Sequence, residues 1–194
     1  MVAVRERQKA KTRARLVEAA LTLFAERGIL ATRTADVATA ARVSHGAVFV
    51  HFPTRDDLVA AVIEELGTRV TRRLHELTER KAGVRQILTA HLAGLQEFET
   101  LYTRLITEGP VLPPFARSTL VGIQSAIAFH LADAVTRETR SGSLKKMPLP
   151  MLFNTWLGLV HHYLVNRDLF APGEFVLARR GKDLVKHFMK LVKA

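Results

Sequence analysis

The 194-residue sequence contains no cysteine, which excludes disulfide bonds, thiolate metal sites and cysteine nucleophiles. No uninterrupted apolar run is long enough to cross a bilayer, because the most apolar stretch, residues 149–165, contains Asn154, His161 and His162. The first eleven residues are charged and hold no apolar run, so we expect no signal peptide. These absences predict a cytoplasmic protein with no membrane partner.

Acidic residues are outnumbered, with 18 Asp and Glu against 29 Lys and Arg, which gives a net charge of +11. Such a surface attracts polyanions, with nucleic acid the first candidate and an anionic membrane surface the second, while simple solubility is the alternative. The excess of positive charge is concentrated near the N-terminus, where residues 1–15 contain six basic residues and one acidic residue, Glu6. A second basic cluster, in residues 179–193, has no motif attached and is typical of a solvated helix face.

Apolar residues recur at helical spacing through almost the whole chain, and no run alternates as a strand would, which predicts an all-α fold. Residues 34–58 predict two short helices joined by a tight turn and followed by a long helix. The N-cap positions of these three helices fall on Thr34, Ser44 and Thr54. In the second short helix we expect Val48, Phe49 and Phe52 to face inward and His45, Gly46, Ala47 and Val50 to face outward. A helix with so little outward bulk can approach a DNA major groove closely.

Residues 16–58 resemble the TetR family of bacterial transcriptional regulators. The residues that carry the resemblance are Leu-Phe-Ala-x-x-Gly at 23–28, Asp-Val-Ala at 36–38 and Val-Ser-x-Gly-x-Val-Phe-x-His-Phe at 43–52. The resemblance covers roughly the first third of the chain. It implies a three-helix DNA-binding head with a helix-turn-helix, residues 1–53, and a helical body for effector binding and dimerisation, residues 54–194.

The resemblance also implies roles for individual residues. Phosphates would be held by Thr34 and His51, and by Arg55 at a position where the family usually has lysine. The groove would be faced by Ser44, His45, Gly46 and Ala47. Two further DNA-binding candidates depart from the family pattern: Phe49 lacks the hydroxyl of the common tyrosine, and Arg42 replaces the usual turn glycine. Either the turn forms without a positive φ at Arg42 or the arginine is strained, and Arg42 could itself supply a phosphate or base contact.

In the body, the spacing of apolar residues predicts helices over residues 84–107, 115–140, 150–170 and 174–192. The helix of residues 150–170 is apolar on most sides, so it lies either at the centre of a monomer or between its own subunit and a partner. We favour the partner, which predicts a four-helix dimer seam formed with the last helix. The seam candidates are Trp156, Leu157, Val160, Leu164, Leu184 and Phe188.

Polar residues on otherwise apolar helices either line an effector cavity or form hydrogen bonds in the core. The candidates for the cavity are Tyr102, Gln124, His130, Asn154, His161 and Tyr163. Adjacent histidines on a helix diverge by about 100°, so His161 and His162 do not form a metal-binding pair. We expect one of the two at the seam or cavity and the other in the core, and we expect no metal and no cofactor.

Two other classes of protein compete with a DNA-binding regulator. An enzyme is not expected, because the chain has no G-x-S-x-G elbow, P-loop, H-E-x-x-H or Gly-rich dinucleotide loop, and no triad spacing. A peripheral membrane protein would use residues 1–23, but the apolar side of that segment is mostly alanine up to Leu16.

Together, the residues and the resemblance predict a homodimeric, ligand-responsive transcription factor, most often a repressor in this family. Its partners would be a near-palindromic DNA operator and a small, hydrophobic effector that enters between the helices of residues 84–170.

Overall fold

The structure is a computed structural model that describes residues 2–77 and 81–194. Of the described residues 81% are helical and none forms a strand, which confirms the all-α prediction. The helices are α1 (Val2–Arg27), α2 (Thr34–Ala40), α3 (His45–His51), α4 (Arg55–Leu77), α5 (Val84–Gln96), α6 (Glu99–Glu108), α7 (Pro114–Arg140), α8 (Leu149–Val165), α9 (Arg167–Phe170) and α10 (Val176–Val192).

The chain divides into two compact units. The first contains Met1–Leu66 and Thr100–Leu120, and the second contains Gly67–Glu99 and Val121–Ala194. The first unit therefore adds most of α6 and the start of α7 to the helix-turn-helix segment, whereas α4 and α7 each contribute residues to both units. The sequence-based boundary between residues 53 and 54 stays a prediction.

The first unit is built around the apolar face of α1. Leu16, Ala20 and Phe24 are buried at helical spacing, as the periodicity predicts, together with Val37 from α2. The helix ends where expected, because Gly28 adopts a φ of 92° and its N–H donates to the Phe24 carbonyl at 3.0 Å. A positive φ at this position favours glycine, which has no Cβ.

The second unit is built around Trp156 of α8. Its indole ring packs edge-on against Phe188 of α10 at a centroid distance of 5.2 Å, and its Nε1 donates to His91 Nδ1 of α5 at 3.0 Å. All three side chains are fully buried. This packing joins α5, α8 and α10 into one core.

The dimer-seam prediction is wrong in its choice of residues. The six candidates lie inside the protomer, each with at most 7% of its surface exposed: Trp156, Leu157, Val160, Leu164, Leu184 and Phe188. The widest apolar stripe of α8 faces the core, because α10 packs against it. The same helix leaves Met151, Thr155, Gly158, His162 and Val165 exposed on its other side.

The single helix predicted over residues 84–107 is two helices, separated at residues 97–98. The carboxylate of Glu99, buried at the start of α6, accepts hydrogen bonds from Val176 N at 2.7 Å and Leu177 N at 3.0 Å. It therefore caps the N-terminus of α10, where a negative charge is favourable. Burial raises the pKa of Glu99, and these two backbone hydrogen bonds oppose that rise.

The helix predicted over residues 150–170 is also interrupted. It becomes α8 and the four-residue α9, with Asn166 between them. The Asn166 side chain donates through Nδ2 to the His162 carbonyl at 2.8 Å, which satisfies an acceptor at the end of α8.

Among the described residues, α7 is the one helix that is long and apolar enough to cross a membrane. This finding rests on length and composition alone, and helices in the cores of soluble proteins satisfy the same criterion.

Candidate nucleic-acid interface

The first short helix is capped by a carboxylate. Asp36 accepts a hydrogen bond from Arg33 N at 3.0 Å, so Arg33 is the N-cap and Thr34 is the first helical residue. The prediction that Thr34 is the N-cap is therefore wrong by one residue. The Thr34 hydroxyl is left available for another contact, described below.

The turn between α2 and α3 contains the unusual backbone of the site. Arg42 has a φ of 53°, the left-handed region that is costly for residues other than glycine. The turn thus has the positive φ that a glycine would favour, but an arginine occupies the position and is strained there. Arg15 of α1 donates to the Ala41 carbonyl and, at 3.4 Å, to the Arg42 carbonyl, which holds the turn against the first helix.

Helix α3 begins as the sequence predicts. Ser44 is its N-cap, and the Ser44 hydroxyl accepts a hydrogen bond from Ala47 N at 3.2 Å. Val48 is fully buried, whereas His45 and Gly46 are exposed. A Cβ built on Gly46 would meet no atom within 4 Å, so the surface in front of this residue is open.

The predicted inward position of Phe49 is wrong. Its side chain is 42% exposed and lies edge-on to the His45 ring at a centroid distance of 5.2 Å. In a helix of seven residues the buried face is narrow, and Val48 and the C-cap residue Phe52 already fill it. Phe49 therefore lies on the outward surface with His45.

The two short helices are joined on their outward side by a polar pair. Thr34 Oγ1 of α2 lies 3.0 Å from His45 Nε2 of α3, within hydrogen-bonding distance. The direction of this hydrogen bond depends on the imidazole tautomer. The geometry brings together one residue expected to hold a phosphate and one expected to face the groove.

His51, at the end of α3, is half-buried beside the basic face of α1. The pKa of its imidazole is lowered, first by loss of hydration on burial and then by the positive charges of Lys9 and Arg13. The Arg13 guanidinium stands 5.0 Å from the centroid of the Phe52 ring. Lowering the pKa of His51 favours the neutral imidazole, which still carries one N–H donor.

Arg55 has a structural role that the sequence does not reveal. Its guanidinium donates to the Ile29 carbonyl and, at 3.5 Å, to the Thr32 carbonyl. The same loop is held from α6, since Glu108 accepts a hydrogen bond from Leu30 N at 2.8 Å. Arg55 thus positions the loop that leads into α2, and its contact with a phosphate stays a prediction.

The six effector-cavity candidates differ in burial and are divided between the two units. Tyr102 is buried in the first unit, while the other five belong to the second. There, Gln124 and His130 are half-buried, Asn154 is exposed, and Tyr163 stacks on Phe170 at 4.1 Å.

His161 is half-buried and His162 is exposed, and their assignment to the core and to the seam or cavity stays a prediction. Burial lowers the pKa of His161 to about 4. The fully buried histidine is His91, a residue that sequence reasoning missed because nothing in its neighbours distinguishes it from a surface residue.

Two cavities in the second unit contain none of the six candidates. One, of about 350 Å³, is lined by residues that include Val135, Thr136, Arg140 and Met147. The other, of about 330 Å³, lies between α5 and α10. In the described part of the chain, no three His, Asp or Glu side chains are grouped so that they could hold a metal ion.

Comparisons with known proteins identify the helix-turn-helix segment. Residues 16–62 match the family described as "Bacterial regulatory proteins, tetR family". The segment of residues 16–62 is thus similar to the DNA-binding segment of the TetR family. It is 53% identical over 62 residues to the HTH-type transcriptional repressor Rv3405c of Mycobacterium tuberculosis, a match that covers 32% of this chain and 33% of the relative. It is 38% identical over 66 residues to the HTH-type transcriptional regulator TtgR of Pseudomonas putida, which covers 34% and 31% of the two chains.

These matches span about a third of the length of the curated relatives. The whole fold is shared more widely. A TetR-family regulator from Rhodococcus sp. superposes with a TM-score of 0.77 at 23% identity, covering 94% of this chain and 98% of the other. The named relatives of the matched segment are transcription regulators, which are not enzymes, and this supports the prediction that the chain is not an enzyme.

Proposed function

We propose that this chain is a DNA-binding transcriptional regulator of the TetR family that places α3 in the major groove of duplex DNA. The observation that carries the proposal is the outward face of α3, where Gly46 is open and His45 and Phe49 are exposed. A slim helix with two ring side chains and a neighbouring hydroxyl can reach base edges and phosphates together. The relatives of the matched segment are named as regulators or repressors of transcription, which supports this assignment.

The protein acts as a homodimer in this proposal. The exposed residues of α8 recur at intervals of three and four, which places Met151, Thr155, Gly158, His162 and Val165 along one side. Such a stripe suits a two-fold helix–helix contact. A dimer would present two copies of α3 to half-sites about one helical turn, roughly 34–36 Å, apart or somewhat more, on a near-palindromic operator.

A small, hydrophobic effector that binds the second unit would release the operator. Such a molecule shifts the equilibrium toward the conformation to which it binds better, and α4 contributes residues to both units. We place the regulator in the cytoplasm, where bacterial DNA lies, and we propose that it acts as a repressor.

The groove contact is tested with two matched glycine variants. Gly46→Glu places a carboxylate on the outward face of α3, whereas Gly122→Glu places one on α7, and at both positions a Cβ has open space. The wild-type protein is first used to select its site from a pool of random duplexes. Because a like charge against DNA costs several kcal/mol, we expect Gly46→Glu to bind that site at least about 100-fold more weakly. Binding of Gly46→Glu with the affinity of Gly122→Glu would refute the assignment of α3.

The dimer contact is tested separately, by sedimentation of Gly158→Glu. Gly158 is an exposed glycine with open space, so the charge should yield folded monomers. A charge at Leu157 is not a clean test, because that side chain is buried in the core. A dimer that persists in Gly158→Glu shows that another face joins the subunits.

A further inference from the structure

The N-terminal part of α1 is a helical extension that packs against little of its own unit. Residues 4–11 are all exposed, and the first buried residue is Leu16. We call residues 4–15 the arm. It holds six basic residues and one acidic residue, Glu6. A segment with this charge and exposure contributes little to the core, so its composition needs another explanation.

Helical geometry sorts the basic residues into two faces. Residues four apart lie on the same side of a helix, so Arg5, Lys9 and Arg13 form one stripe. The other stripe runs along the nearly opposite side and ends at Arg15. With a rise of about 1.5 Å per residue, Arg5 lies about 12 Å from Arg13 along the helix axis.

Each stripe ends at the helix-turn-helix. Arg13 stands 5.0 Å over the Phe52 ring, just beyond the end of α3, and Arg15 donates to the turn at the Ala41 and Arg42 carbonyls. The stripe that contains Arg13 therefore continues the surface on which α3 ends. Burial first, and then the positive charges of Lys9 and Arg13, lower the pKa of His51, so these two charges lie near the residue expected to hold a phosphate.

Like charges four residues apart on a helix repel each other and destabilise it. The Arg5–Lys9 and Lys9–Arg13 pairs are therefore unfavourable in the free protein, and a bound polyanion would relieve the repulsion. Duplex DNA carries one negative charge per about 1.7 Å of its axis, so it offers closely spaced phosphates to these cations.

We propose that the Arg5–Lys9–Arg13 face of α1 binds backbone phosphates of the duplex beside those reached by α3 and so widens the DNA contact. This inference rests on the proposed function. An anionic membrane surface is the less favoured partner, because an interfacial helix needs a broad apolar face. Among residues 4–15 the one large apolar side chain is Val4.

The test removes two charges from the arm without disturbing the packed arginine. Arg5→Gln/Lys9→Gln is compared with Lys186→Gln/Lys190→Gln, which removes two exposed lysines at the same spacing from α10. Affinity for the selected duplex is measured by fluorescence anisotropy over a range of salt concentrations. Each lost phosphate contact lowers the slope of log K against log salt by about 0.9, so the arm variant should lose about 1.8 per bound protomer. The α10 variant should keep the wild-type slope.

The outcomes separate the two claims. If the wild-type protein selects and binds no duplex, the proposed function fails and this inference fails with it. If the wild-type protein binds with a steep salt dependence and the arm variant has the same slope, the inference alone is overturned. It is also overturned if the arm variant loses binding to vesicles of anionic phospholipid but keeps its DNA affinity. Circular dichroism of both variants verifies that the helical fold is retained.

Discussion

The buried pair of His91 and Trp156 predicts that the protein loses stability in mild acid. His91 is fully buried, and its Nδ1 accepts a hydrogen bond from Trp156 Nε1, so its proton is on Nε2. Nε2 is buried and has no hydrogen-bond partner among the described residues. Protonating Nδ1 would break the bond to Trp156 and place a positive charge in the core. Burial first, and then the charge of His161, lower the pKa of His91 to about 3.

The sign and size of the effect follow from linkage. Below its ordinary pKa of 6.5 an unfolded histidine takes up a proton, whereas folded His91 stays neutral down to about pH 3. The free energy of unfolding is therefore unaffected by His91 well above pH 6.5 and falls as the pH is lowered from 6.5 towards 3. At 1.36 kcal/mol per pH unit, the loss at pH 5 is about 2 kcal/mol. His161, with a pKa of about 4, adds a loss of similar size at that pH.

The assay is urea unfolding at pH 7.5 and pH 5.0, followed by fluorescence of the single tryptophan. His91→Asn keeps an acceptor for Trp156 Nε1 and removes the titrating ring. We expect the difference in unfolding free energy between the two pH values to shrink by about 2 kcal/mol in this variant, whatever its absolute stability. His75→Asn, at an exposed histidine of α4, tests whether loss of any histidine has the same effect. An unchanged difference in His91→Asn would refute the reasoning.

Three further substitutions test local geometry. Arg42→Gly should raise the free energy of unfolding by about 1 kcal/mol, since glycine accepts a φ of 53° without a Cβ clash, and a loss of stability in urea would contradict this. Gly67→Ala should lower it by about 1–3 kcal/mol, because the new Cβ would lie 2.5 Å from Ile123 Cγ1, and a neutral result in the same assay would show that Ile123 moves easily. Glu108→Gln should speed hydrogen exchange of the Leu30 amide several-fold by weakening the 2.8 Å hydrogen bond to its carboxylate, so unchanged exchange would mean that this bond is not what holds the loop.

The helix-turn-helix could be predicted from sequence because its signals are local. Ser44 caps α3 three residues before the amide it accepts from, and Thr54 and Asp57 exchange hydrogen bonds at the start of α4. Gly28 marks the end of α1 for the same reason. Helix caps and turn glycines interact with residues only a few positions away, so the amino-acid sequence is enough to locate them.

The remaining features depend on partners far away in the chain. The break before α6 exists because Glu99 caps α10, 77 residues later. Leu157 is a core residue because α10 packs over its face of α8. The sequence of an apolar stripe is the same whether the stripe packs against its own subunit or against a partner, so sequence alone does not distinguish the two. The structural roles of Arg55 and His91 are likewise set by tertiary neighbours, which periodicity does not specify.

Entry of α3 into the groove of DNA can be observed by cleaving the bound duplex from a defined residue of the protein. The absence of cysteine allows a single one to be introduced at Val50, an exposed position on α3, and labelled with an iron chelate that generates hydroxyl radicals. Gly122→Cys on α7, labelled in the same way, is the control. With the α3 label we expect strand cleavage confined to two short windows, one in each half-site, and with the α7 label we expect none. Cleavage that is absent with the α3 label, or equal from both positions, would contradict the entry of α3 into the groove.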